Sequence, residues 1–176
     1  TCVDKANVLG SMVFFRKIFD ERARLFPGIE ARHRYVDAMA LDLIKQPWSF
    51  DVMVTENMYG DILSDLAAGL MGGLGMAPSG DIGPERAVFQ PCHGSAPDIA
   101  GQGRANPTAA ILSAAIMLDW LGERHGEPKA EAAARLIEAG VDRAYAGGGL
   151  KPCEFGGPDG TAAVTRRVLE SMKVSL

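Results

Sequence analysis

The sequence is short of positive charge. Its 18 Lys and Arg are outnumbered by 22 Asp and Glu, the formal net charge is −4, and no long basic run occurs. A nucleic-acid surface depends on clustered cations, so a nucleic-acid partner is not expected. Cysteine is scarce too. Cys2, Cys92 and Cys153 are scattered, with no CxxC pair. That argues against a disulfide framework and a thiolate zinc site, and points to a reducing, cytoplasmic setting with free thiols. No apolar run is long enough for a bilayer. The longest, Ala109 to Leu121, is interrupted by Ser113 and Asp119 and reads as a buried helix, so no membrane partner is expected either. A signal-peptide pattern, an internal repeat and a low-complexity tail are all missing. So is the dinucleotide fingerprint GxGxxG. Gly73-Leu74-Gly75 lacks the third spaced glycine and follows no strand.

What remains is a 176-residue chain with 47% hydrophobic residues, enough for one well-packed domain or one and a half lobes. It opens on Thr1-Cys2-Val3-Asp4-Lys5 without an initiating Met, like the tail of a strand whose beginning is missing. Apolar residues at Met12, Phe15, Ile18, Phe19 and Leu25 predict a helix over Val8 to Phe26, ended by Pro27-Gly28. Arg32 to Val36 reads as a strand closed by Asp37, and Ala38 to Lys45 as a helix stopped at Pro47. Phe50 to Val54 is a further strand candidate. Asn57 then caps a helix that packs Ile62, Leu66 and Leu70 on one side, with Leu63 beside them. The glycine-rich stretch from Gly69 to Pro84 reads as a flexible crossing between lobes. Ala87 to Gln90 is a strand entering a long loop, His93 to Gly103. Asn106-Pro107 starts the apolar helix, and amphipathic helices follow over Lys129 to Tyr145 and Thr161 to Met172. The pattern is that of an α/β protein.

Three joins between strand and helix carry the chemistry. Lys5 follows the first strand, Asp37 the second, and Asp61 and Asp65 sit on the helix after the third. In open α/β sheets, ligands gather at the carboxyl ends of strands, so these four side chains are candidates for one site. Asp61 and Asp65 are four residues apart and share a helix face, where their repulsion costs about 0.2–0.5 kcal/mol unless a cation such as Mg²⁺ or Mn²⁺ reverses it. Two acids at helical spacing are more often a solvated face. A surface lysine at a helix start and an exposed acid at a strand end are the plain readings of Lys5 and Asp37. The loop from His93 to Gly103 has small side chains, which let a backbone approach a ligand closely, and one acid, Asp98, able to accept hydrogen bonds from a ribose diol. An ordinary surface loop fits the same composition.

Longer segments narrow these alternatives. Val3-Asp4-Lys5-Ala6-Asn7-Val8, Tyr35-Val36-Asp37, Thr55 through Asp65, Gly75 to Ser79, His93 through Gly101 and Ala105 to Thr108 occur in this order. Together they resemble the carboxyl-terminal half of the metal-dependent β-decarboxylating dehydrogenases, the group of isopropylmalate, isocitrate, tartrate and D-malate dehydrogenases. The resemblance implies a two-lobed α/β fold of the isopropylmalate dehydrogenase type, not a Rossmann fold. Residues 1–72 would form part of a central metal-binding and dimerisation lobe, and residues 73–176 part of a cofactor lobe. It also implies oxidation of a 2-hydroxy dicarboxylic acid by NAD, with decarboxylation. Lys5 matches the lysine that assists proton transfer. Asp61 and Asp65 match ligands of Mg²⁺ or Mn²⁺. Asp37 matches a catalytic acid that joins the metal from the other subunit, as Lys5 does, so the active site is shared in a homodimer. His93, Gly94, Ser95, Ala96, Pro97 and Asp98 match the loop that holds the adenosine part of NAD, and Asn106 matches an adenine contact. Asp98 stands where NAD-users keep an acid.

The family's substrate arginines and catalytic tyrosine belong to a preceding half that nothing here matches. A parent chain roughly twice as long, and an inactive isolated half, are therefore expected. The segments Gly69 to Ser79 and Phe89-Gln90-Pro91 look closest to the tartrate and D-malate branch. The 3-isopropylmalate dehydrogenases of leucine biosynthesis, which usually carry Glu where Gln90 stands, are the alternative. A non-catalytic dimerisation or interaction module is the second alternative.

Overall fold

The first strand, β1 (Cys2–Asp4), is buried at every position in the computed structural model, which describes residues 1–173. Buried on both faces, it reads as an inner strand. It pairs in parallel with β2 (His33–Tyr35) in the register Cys2 to His33, Val3 to Arg34 and Asp4 to Tyr35. On the other side Val54 joins through a single parallel bridge to Cys2. Val3 donates to the Val54 carbonyl at 2.8 Å, and Val54 donates to that of Thr1 at 3.0 Å. The strand expected over Phe50 to Val54 thus shrinks to one bridged residue, Val54, and a 3-10 turn, Pro47–Ser49, precedes the segment.

Helix α1 (Gly10–Ala23) connects β1 to β2. Helix α2 (Val36–Lys45) begins directly after β2, so Asp37 lies in the first helical turn, just past the strand end. An acid there meets the positive end of the helix dipole. Helix α3 (Asn57–Leu70) is capped by Glu56, not by Asn57. The Glu56 carboxylate accepts the N–H groups of Met58 at 3.0 Å and Tyr59 at 2.8 Å. The core of this region is Val3, Met39, Leu43 and Leu63, with Val36, Ala40, Phe50 and Leu66 packed against it. Leu63 and Tyr59 are the inward residues of α3, whereas Ile62 and Leu70 are 58% and 46% exposed. Of the stripe expected over Ile62, Leu66 and Leu70, Leu66 packs against the core while Ile62 and Leu70 face outward.

The chain divides into two units, Thr1–Leu70 and a second that starts at Met71. In the second, the glycine-rich stretch is more ordered than its composition suggests. It contains a 3-10 turn, Leu74–Met76, and the strand β3 (Pro78–Ile82), which pairs antiparallel with β4 (Ala87–Pro91). Ladder hydrogen bonds hold these residues where local propensity does not. The hairpin packs on α4 (Thr108–His125), which packs on α5 (Pro128–Ala146), and α5 on α6 (Thr161–Lys173). Val141, Ala144 and Val168 form the centre of this core. Gly126 ends α4 in the left-handed region at φ 63°, where glycine costs least. Among the described residues no helix is long and apolar enough to cross a membrane. The three cysteines are free, with Cys2 fully buried. Burial, and then the nearby Asp4 charge, push the Cys2 thiol up to about 11.

Candidate functional site

Lys5 is the first residue past β1, and Asp37 the second residue of α2. The parallel register of β1 with β2 brings these two chain positions side by side. Lys5 Nζ donates to Asp37 Oδ1 at 2.6 Å. That bond comes first among the causes that hold the Asp37 carboxyl below its usual range. The Lys5 ammonium also lies 5.7 Å from the centre of the Tyr35 ring.

The strand end that presents Lys5 is fixed from below by its neighbour. Asp4 is completely buried. It accepts two hydrogen bonds from the Arg16 guanidinium, each at 2.8 Å, and the N–H of Ala6 at 2.9 Å. Burial raises the Asp4 carboxyl, but the Arg16 and Ala6 bonds outweigh it and the net shift is downward.

Asp61 and Asp65 both stand exposed on α3, one turn apart. The Asn57 amide donates to Asp61 Oδ2 at 3.1 Å. Carboxylate oxygens on one exposed face suit a hard cation such as Mg²⁺ or Mn²⁺ in chemistry. The described residues assemble no group of three His, Cys, Asp or Glu that could hold a metal ion. Within one chain, then, Lys5 and Asp37 come together, while Asp61 and Asp65 stand exposed on one helix with no third acid, histidine or cysteine grouped with them among the described residues.

The second unit contains a cavity of about 470 Å³ bordered by His93, Gly94, Ala96, Arg104, Asn106 and Glu154. Its size falls in the range of small-molecule and cofactor pockets. Ala96 adopts the left-handed region, φ 43°, immediately before the 3-10 turn Pro97–Ile99. A non-glycine residue held there is strained, and such strain clusters at ligand-binding loops. His93 Nδ1 donates to the Gly94 carbonyl at 2.9 Å. Asn106 is buried, and its side-chain oxygen accepts the Thr108 N–H at 3.2 Å. Helix α4 begins at Thr108 with Pro107 in the cap position, so Asn106 lies one residue before the expected cap and its side chain holds the first helical N–H from there. Ser95, Pro97 and Asp98 are exposed and lie outside the cavity lining. The Asp98 carbonyl accepts from Gln102 at 2.8 Å.

Two lining residues escaped the reading of the sequence. Arg104 stands directly before Ala105-Asn106 and puts a cation beside the cavity, with only a 3.4 Å contact to Gln102. Its place in the motif could have flagged it. Glu154 sits in a 3-10 turn, Cys153–Phe155, 79 residues beyond Gly75, the residue whose N–H it binds.

Lys5 paired with Asp37, an acidic pair one turn apart on α3 and a small-residue loop bordering a cavity lie in the segments that carry the resemblance to the β-decarboxylating dehydrogenases. The chain belongs to the isocitrate/isopropylmalate dehydrogenase family, whose model matches residues 1–169. It is 52% identical over 170 residues to the isocitrate/homoisocitrate dehydrogenase of Thermus thermophilus, covering 96% of this chain and 48% of that protein. It is 51% identical over 157 residues to the 3-isopropylmalate/3-methylmalate dehydrogenase of Methanocaldococcus jannaschii, covering 88% and 47%. The chain thus spans about half the length of the curated relatives it matches. A crystal structure of isocitrate dehydrogenase from Methylococcus capsulatus superposes with a TM-score of 0.85 at 44% identity, covering 98% of this chain and 50% of that one. The fold is accordingly the isopropylmalate dehydrogenase type.

Proposed function

We propose that this chain carries the metal-binding and cofactor-binding half of an enzyme that oxidises and decarboxylates a 2-hydroxy acid, with NAD as acceptor. The observation that carries the reading is the Lys5–Asp37 ion pair, 2.6 Å long, at the strand ends of a chain that belongs to this family. Oxidation at C2 makes a ketone β to a carboxylate on C3. Carbon dioxide can then leave, with its bonding electrons passing to the ketone. When bound, a divalent cation supplies positive charge against the substrate oxygens, and NAD accepts the hydride.

The chain's own residues do the rest. Lys5 holds a proton on Nζ against Asp37 and exchanges it at the substrate oxygen. Asp61 and Asp65 hold the cation. His93, Gly94, Ala96 and Asn106 border the pocket for the adenosine end of the cofactor, and Asp98 in the same loop favours NAD by repelling a 2′-phosphate.

The relatives' names support a 3-substituted malate, since isocitrate, homoisocitrate, 3-isopropylmalate and 3-methylmalate all share that skeleton. The segments Gly69 to Ser79 and Phe89-Gln90-Pro91 support tartrate and D-malate as the competing substrates. A homodimer completes the metal half-site. Leu41, Ile44, Met58 and Ile62, each more than half exposed on α2 and α3, supply apolar surface for it.

The reading is tested by thermal shift with millimolar Mn²⁺ and with NAD. Each should raise the melting temperature, because each binds the native state alone. A folded sample that responds to neither contradicts the reading.

A further inference from the structure

Glu154 reaches back across the second unit to the wall of the cavity. Its Oε1 accepts the Gly75 N–H at 2.8 Å, and its Oε2 accepts from Asn106 Nδ2 at 3.0 Å. One carboxylate thereby ties together the Leu74–Met76 turn, the start of α4 and the Cys153–Phe155 turn, segments far apart in the chain. The fit is close. A Cβ on Gly75 would collide with Glu154 Oε2 and Asn106 Cβ, and one on Gly73 with Glu154 Oε1. Glycine at both positions makes room for this carboxylate.

Asn106 is held from the opposite side as well. Thr108 Oγ1 donates to Asn106 Oδ1 at 2.7 Å. That uses the only proton of the threonine hydroxyl, so Tyr145, whose hydroxyl lies 2.8 Å away, is the donor to Thr108. Every donor in the series Tyr145, Thr108, Asn106 points toward the carboxylate, an arrangement in which each bond polarises the next.

We propose that Glu154 is a positioning residue of the cofactor cavity, acting through Gly75 and Asn106 rather than by contact with the reacting atoms. The inference rests on the reading of this cavity as the cofactor's. Without the clamp, the Leu74–Met76 turn and Asn106 lose their common anchor and the wall loosens, while the strand-end residues of the first unit are untouched.

The test is steady-state kinetics of the natural full-length polypeptide and its Glu154→Ala and Glu154→Gln variants, with NAD binding measured alongside. Glu154→Ala should raise the KM and Kd for NAD on the order of tenfold, the cost of losing charge-assisted bonds. The hydroxy-acid KM, and kcat at saturating NAD, should stay within about twofold. Glu154→Gln keeps one acceptor and should fall between Ala and wild type, which preserves the test if the Ala variant fails to fold. Unchanged NAD constants in the variants overturn the clamp alone. A parallel loss in all constants overturns it too, since that marks general destabilisation. A wild-type protein that binds no NAD removes the cofactor reading and this inference together.

Discussion

Replacing Arg16 by alanine should destabilise the protein by more than any surface change, because it strands the buried Asp4 carboxylate. Asp4 has no solvent exposure, and Arg16 binds it through two bonds of 2.8 Å. After the substitution the Ala6 N–H, 2.9 Å away, and the weak Cys2 thiol contact are its hydrogen-bond partners among the described residues. Breaking one side of a buried pair costs roughly 3–5 kcal/mol. The Arg16 side chain is 28% exposed, so water can enter the gap and the lower end, about 3 kcal/mol, is expected. Loss of the guanidinium from above the Tyr35 ring, 5.3 Å away, adds a smaller amount, about 0.5 kcal/mol. For a chain of this length the sum corresponds to a fall in melting temperature of roughly 7–14 °C. Urea denaturation followed by circular dichroism measures it. The pH dependence has a definite sign. The folded carboxyl is held low, so its contribution is complete above its unfolded pKa, near 3.9, and is lost as pH falls through the folded value. Wild type and variant should therefore converge in acid. A variant within about 1 kcal/mol of wild type at neutral pH would refute the argument that this pair fixes the strand end behind Lys5.

Three further outcomes follow from named contacts. Glu56→Ala removes the acceptor for the first free N–H groups of α3 and should cost about 1 kcal/mol, read from the denaturant midpoint. Leu63→Ala opens the core shared with Val3, Met39 and Leu43 and should cost about 2–5 kcal/mol in the same assay, with the higher values for a site that does not collapse. Asp61→Asn should leave the melting temperature without metal nearly unchanged, since Asp61 is exposed. It should abolish the stabilisation by Mn²⁺, and a Mn²⁺ response equal to wild type would remove Asp61 from the metal site.

Much of the site was legible because its residues lie in continuous segments. The lysine of Val3-Asp4-Lys5 and the aspartate of Tyr35-Val36-Asp37 could be placed at strand ends from pattern alone, and a parallel register then makes them neighbours. What pattern left open was orientation. A helical period in α3 specifies a stripe but not which of two adjacent stripes faces inward, and Leu63, not Ile62, proved to be the buried one. The cap of the same helix passed from Asn57 to Glu56, because a longer carboxylate one residue earlier reaches the same N–H groups. The strand expected over Phe50 to Val54 shrank to a single bridge at Val54, a pairing with Cys2 that lies 52 residues away and outside any local pattern. Glu154 was beyond reach of any local signal. Its partners lie 79 and 48 residues away, and a lone glutamate among glycines reads as solvent-facing.

The proposed function is oxidation of a 2-hydroxy acid at a metal- and NAD-dependent site of the full-length enzyme. Its most direct test is NADH formation by the natural full-length polypeptide at saturating NAD and Mn²⁺, with isocitrate, homoisocitrate, 3-isopropylmalate, D-malate and tartrate offered in turn. The account predicts that at least one of these acids is turned over, that EDTA abolishes the reaction and that Lys5→Met reduces it by on the order of a hundredfold or more, as expected for loss of a general acid–base group. No turnover of any of the five, or turnover at an unchanged rate in Lys5→Met, would contradict it.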